Sequence, residues 1–274
     1  MNSRFNMFLI VVCFGLISAA SAEAGSYNLF NSKPKGELRD LAADRPDNTE
    51  TPITVDPGHI QFETSVIAFS RDEVGNAVGK STTWMETNLK FGLVESADLQ
   101  IVFAPYISEE TEIGDAVVGD QSGFGDVEVR LKWNMLGNDG GKNAFALFPF
   151  VKIPTGSDLS NEEWEGGLIL PFARDLREGL GLGLQAEFDF VYDDAKDEHR
   201  LDFLHTAVIG LDLTEQVGIF GEYLGIASSD YQAYASAGAT YAVNENLQLD
   251  FGTLVGLNDA AEDFSIYPGF TLRF

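Results

Sequence analysis

Charged side chains spaced two residues apart are the residues most able to do chemistry in this sequence. Asp126, Glu128, Arg130 and Lys132 alternate with Val127, Val129, Leu131 and Trp133. Glu187 and Asp189 continue the period of Gln185, and Glu86 and Lys90 that of Asn88. In an extended chain successive side chains point to opposite faces, so each run puts acids and bases on one face and apolar groups on the other. Together with Glu165, Asp202, Glu222, Asp250 and Arg273, these residues predict the wetted interior of a wall whose outer face meets lipid, because hydrocarbon cannot solvate charge. The mixed signs leave two chemistries open. Acids and bases can pair across strands and fill a narrow interior, or they can form a charged constriction that sorts permeating solutes.

Catalytic chemistry finds little support. His59, His199 and His205 are the only histidines, none has a neighbouring serine, and no G-x-S-x-G turn occurs. His59 and His199 open strand-like segments, where an interfacial histidine is the plain reading. A metal held by His199 and His205 would need ligands six residues apart on one strand face, about 20 Å, too far for one ion. Gly123-Phe124-Gly125 and Gly137 to Gly141 lead into strand patterns, so no helix N-terminus is offered to a phosphate. The expectation is a protein that is not an enzyme, with no cofactor and no metal.

A formal net charge of −26 repels nucleic acid and the phosphates of anionic lipid. Residues 1–24 read as a secretory signal: Arg4, an apolar run from Phe8 to Ile17, and small residues at Ala20, Ser21, Ala22 and Ala24, with cleavage after Ala22 or Ala24. Cys13, the only cysteine, lies within it. The exported chain would therefore carry no disulfide. No later run of 18 apolar residues occurs, so a membrane could be crossed only by strands.

Residues 25–57, with Pro34, Pro46, Pro52 and Pro57, form an irregular N-terminal extension, either docked inside a barrel or left as a periplasmic tail. From residue 58 to residue 274 the pattern changes to segments of ten or so residues with period two. They lie at 58–69, 83–94, 97–107, 125–136, 143–154, 164–174, 179–192, 199–212, 216–226, 231–242, 246–257 and 264–274. Sandwich strands average five or six residues, whereas a tilted strand needs roughly 9 to 11 to cross a bilayer. The fold expected is all-β: a closed antiparallel transmembrane barrel of about twelve strands, in the outer membrane of a Gram-negative cell.

Alternate connections are short, and the intervening ones are mostly longer and acidic. The longer set (70–81, 108–124, 155–163, 193–198, 227–230 and 258–263) carries 18 acids against Arg71, Lys80 and Lys196. Short turns then lie in the periplasm and acidic loops outside, where they stay hydrated or hold divalent cations bridging to lipopolysaccharide. Trp84, Trp133, Trp164, Tyr231 and Tyr241 suit interfacial girdles. The last segment ends in Phe274, similar to the signal read by the barrel assembly machinery.

Several stretches resemble the outer-membrane barrel family labelled "putative MetA-pathway of phenol degradation", also called outer-membrane transporters. They include Asp44-Arg45-Pro46-Asp47, Thr54 to His59 with Gln61 and Glu63, Asn88 to Leu93, Gly123 to Asp126, Lys132-Trp133-Asn134, Gly137 to Gly141, Pro154-Thr155-Gly156 and Glu165-Gly166-Gly167. The resemblance spans residues 43–274 and implies a passive channel for small molecules, aromatic or hydrophobic ones among them, with no catalytic residue. A non-conducting structural or surface-binding barrel is the alternative.

Overall fold

Alternating apolar and polar residues satisfy their backbone groups in lipid only by pairing every strand on both sides, and the chain does so by closing on itself. The computed structural model describes residues 27–114 and 116–274; residues 1–24, expected to be a secretory signal, lie outside them. The strands are β1 (Ile60–Val74), β2 (Ala77–Val94), β3 (Ala97–Phe103), β4 (Tyr106–Ile113), β5 (Ala116–Gly123), β6 (Val127–Leu136), β7 (Asn143–Ile153), β8 (Glu165–Arg177), β9 (Leu180–Asp193), β10 (Glu198–Asp212), β11 (Val217–Ala227), β12 (Tyr231–Asn244), β13 (Leu247–Gly256) and β14 (Phe264–Arg273). Every pairing is antiparallel, and β1 joins both β2 and β14. The result is a closed twelve-strand barrel with two extra strands.

The extra strands correct two expected loops. β2 runs 18 residues; its lower half pairs with β3 and its upper half with β4. β3 and β4 thus form one wall strand broken at Ala104-Pro105, and β5 and β6 another. Residues 108–124 are not an irregular loop, because β4 continues to Ile113 and pairs with β5. Residues 70–81 likewise continue β1 and β2 around a turn at Gly75, whose φ is 67°. Above the bilayer both faces of a strand are wet, so no apolar face marks it in the sequence. The register of β1 on β14 slips between Ser65 and Phe69, and Met85 opposite has a φ of 54°. This bulge lies where the wall passes into the projecting sheet, beside the exposed rings of Trp84 and Tyr106.

Outside, Leu249, Phe251 and Val255 of β13 are exposed, whereas Asp250 on the opposite face is buried. Phe251→Arg should therefore cost about 2–4 kcal/mol in denaturant unfolding from lipid vesicles. Gln248→Lys, on the inward face, should cost much less. Equal costs would contradict the assignment of faces.

Candidate functional site in the barrel lumen

The lumen is not left to the wall alone. The extension enters beside the short turns, makes a 3₁₀ turn at Lys35–Glu37, rises to a tip at residues 46–51 and returns to β1. Its base is fixed by Asp56, which lies 3.1 Å from Lys33 and 3.3 Å from Arg39. Arg39 also reaches Glu95 and Asp139 in two short turns, both at 2.8 Å.

Higher up, Asp44 accepts from Lys132 at 2.9 and 3.0 Å and pairs with Lys90, which also pairs with Glu63. The Asp44 amide donates to Glu63 at 3.1 Å, and the Thr51 amide donates back to Asp44 at 2.8 Å. Lys90 and Lys132 are fully buried. Burial alone would raise the Asp44 carboxyl, but the ammoniums of Lys132 and Lys90 outweigh it and hold the carboxyl well below the usual carboxylate range. Arg45 pairs with Asp250 at 2.7 Å and donates to Ser65 at 2.6 Å.

The tip then straps across to the opposite wall. Asn48 donates to Glu222 from its amide (3.0 Å) and its side chain (2.8 Å), and the Thr49 hydroxyl donates to Glu222 at 2.7 Å. The Glu50 amide donates to Gln185 at 2.7 Å, and the Glu50 carboxylate pairs with Arg130.

Of the residues expected to line the lumen, Lys90, Arg130, Lys132, Glu222, Asp250 and Arg273 meet the extension; Arg273 donates to the Arg39 carbonyl at 2.8 Å. Others pair among wall and loop residues: Glu128 with Arg130, Asp126 and Glu165 with Lys152, and Asp202 with Arg200 at 2.9 Å. Glu187 accepts from Gln185 at 2.7 Å. Asp189 keeps one buried oxygen without a partner, and Glu86 is exposed.

The buried wall residues Gln61, Glu63, Asp98 and Gln100 belong to the same polar layer. Alternation with Leu99 and Ile101 is the only signal of Asp98 and Gln100, whereas Gln61 and Glu63 also stand among the residues that carry the family resemblance. His59 is not an exposed interfacial residue: it is buried, with Nδ1 2.8 Å from the main-chain oxygen of Phe274 and Nε2 2.8 Å from that of Lys33. It ties the closing strand to the base of the extension.

The inward face is also less polar than the alternation implied. Phe148, Phe150 and Ile169 form a buried cluster on β7 and β8, with the Lys132 ammonium 4.8 Å from the Phe148 ring. Leu224 and Tyr234 form another with Ala261. The β7 run Phe145-Ala146-Leu147-Phe148-Pro149-Phe150 is apolar on both faces, so its orientation was unreadable from alternation. Where the extension leaves space, a cavity of about 290 Å³ lies between the tip and the short-turn ends of β8–β12. A second, of about 560 Å³, lies at the short-turn end beside Arg39 and Asn138.

In fold the chain is similar to the COG4313 outer membrane channel from Pseudomonas putida F1, at 14% identity and a TM-score of 0.61, with 85% of this chain and 100% of that one covered. Looser likenesses are to the NanC porin (9% identity, TM-score 0.49, 77% and 98% covered) and to the KdgM porin in complex with disordered oligogalacturonate (10%, 0.49, 79% and 99%). No curated protein matches the sequence. The model of the family described as "Putative MetA-pathway of phenol degradation" matches residues 43–274.

Removing one member of a buried ion cluster leaves the others uncompensated, at a cost of about 3–5 kcal/mol. Asp44→Ala should therefore release the extension, and trypsin should cut at Lys35 and Arg39 in a barrel that still migrates as folded. Protection equal to that of the parent chain would show that the cluster does not hold the extension.

Proposed function

The chain belongs to the family described as "Putative MetA-pathway of phenol degradation", and from that premise we propose that it is a passive channel for small molecules in the outer membrane, aromatic or hydrophobic ones among them. The observation that carries this reading is the lumen itself. It is charged, wetted and only partly filled, with an open cavity beside the extension instead of a packed core. Twelve strands lie between the eight whose side chains can fill a barrel and the sixteen or more of open porins.

In this reading residues 1–24 are the export signal, residues 25–57 partly plug the lumen from the periplasmic side, and residues 58–274 span the membrane. The acidic loops face outward toward lipopolysaccharide, and Phe274 is the assembly signal read by the barrel assembly machinery. The inward charges, from Glu86 and Asp126 to Asp189 and Arg273, act in two ways. Those bonded to the extension hold it, and those above it, with more acids than bases, line the outer mouth. An aromatic or hydrophobic solute is supported by the Phe220 ring, which lines the cavity. Transport is passive, with no cofactor and no catalytic step.

The alternative, a non-conducting barrel, is favoured by the strap of Asn48, Thr49 and Glu50 across the lumen. Planar-bilayer recording separates the two. The parent protein should give discrete conductance steps, and Glu222→Ala, which removes the acceptor of three strap hydrogen bonds, should raise their size or frequency, since hydrogen bonds to a charged group contribute about 1.5–3 kcal/mol each. Silence from both proteins, folded, would establish the non-conducting barrel.

A further inference from the structure

Six inward-facing glycines of this barrel fall into two groups by what a side chain would meet there: positions 92, 183 and 269, and positions 167, 238 and 252. Some are seats for the extension. A Cβ on Gly183 would lie 3.0 Å from the Thr49 methyl, one on Gly269 2.2 Å from the Arg45 guanidinium, and one on Gly92 2.0 Å from the Asp56 carbonyl. Others are covered by a neighbouring ring lying flat on the wall. Phe220 covers Gly238, 2.5 Å from where its Cβ would be, and Tyr267 covers Gly252, at 2.2 Å. Gly181 and Gly210 belong to neither group. They are direct register partners on β9 and β10, and a Cβ on either would meet nothing within 4 Å.

Both bare glycines line the cavity of about 290 Å³ against the extension tip, and both also line a cavity of about 430 Å³ around the turn between β8 and β9. They therefore stand where the space beside the extension joins the short-turn mouth. A stretch of wall without side chains presents only main chain whose donors and acceptors are already used in the ladder. The glycine pair itself carries no charge and no unpaired polar group and leaves width for a flat body to slide past, while the carboxylates of Asp175 and Asp212, which line both cavities as well, flank it. The facing side of the cavity supplies Pro46 and Pro52, and its edge carries the Phe220 ring.

We propose that Gly181 and Gly210 form the gauge of the solute path, a specificity-determining pair whose missing side chains admit flat, single-ring molecules past the docked extension. This rests on the channel reading above and adds to it the route and the size class. Selectivity here comes from width, as in other pores whose lining sets a limiting diameter.

The test is liposome swelling with two zwitterions that do not cross lipid unaided, glycine and L-phenylalanine, using the full chain. Gly210→Leu and Gly181→Leu fill the vacant space without a backbone clash. Each should slow phenylalanine entry roughly fivefold or more and glycine entry less than about twofold. Gly221→Leu, also free of neighbours within 4 Å but on the lipid face, should change neither rate. If the parent protein swells with both solutes while folded Gly210→Leu and Gly181→Leu match it, or slow both solutes equally, the gauge is overturned and the channel stands. An equal loss in Gly221→Leu also overturns the gauge. If the parent protein admits neither solute, the channel reading falls and the gauge with it.

Discussion

Closure of the sheet is the constraint from which the rest of this structure follows. A strand edge in hydrocarbon would leave rows of amides and carbonyls unsatisfied at several kcal/mol each, so β1 must find β14 as well as β2. Once the ring is shut, period-two alternation divides every strand between lipid and lumen. The interior of twelve strands is too wide for the wall side chains alone to fill. That surplus of wetted interior is what the extension occupies.

Extension and wall exchange charges in both directions. The wall contributes the cations Lys90, Lys132 and Arg130, which receive Asp44 and Glu50. It contributes the anion Asp250, which receives Arg45, while Arg39 and Arg273 converge on Asp56 at the base. A buried pair contributes little net stability over an apolar substitute, yet a broken one is costly. Such a network therefore favours one docked arrangement over its neighbours. Glycine seats at positions 92, 183 and 269 reinforce it by letting the chain approach the wall. The same network carries the extension across the lumen to β9–β11 and leaves space between its tip and the short-turn ends of β8–β12.

The aromatic and aliphatic groups that turn inward, Phe148, Phe150 and Ile169 on one side and Leu224 with Tyr234 on another, make the lumen amphipathic. An interior of that kind differs from the uniformly polar lining of a water-filled pore. Phe148 shows how the two characters coexist, its ring shielded beneath the buried Lys132 ammonium.

The amino-acid sequence determined the barrel, its twelve wall strands and the polar face of most of them. Alternation is local, two residues suffice to express it, and a bilayer fixes the length over which it must persist. It also marked Lys90, Lys132, Glu222 and Asp250 as inward. What only the tertiary structure decided was the partner of each. Asp44 meets Lys90 and Lys132 across 46 and 88 residues, and Glu222 meets Asn48 across 174. Those separations are set by the stagger of strands around the ring, which no local period encodes. The same holds for β7, apolar on both faces, whose orientation is fixed by its hydrogen-bonded neighbours, and for the hairpin of β4 and β5, where water on both sides erases the apolar face that would have announced a strand.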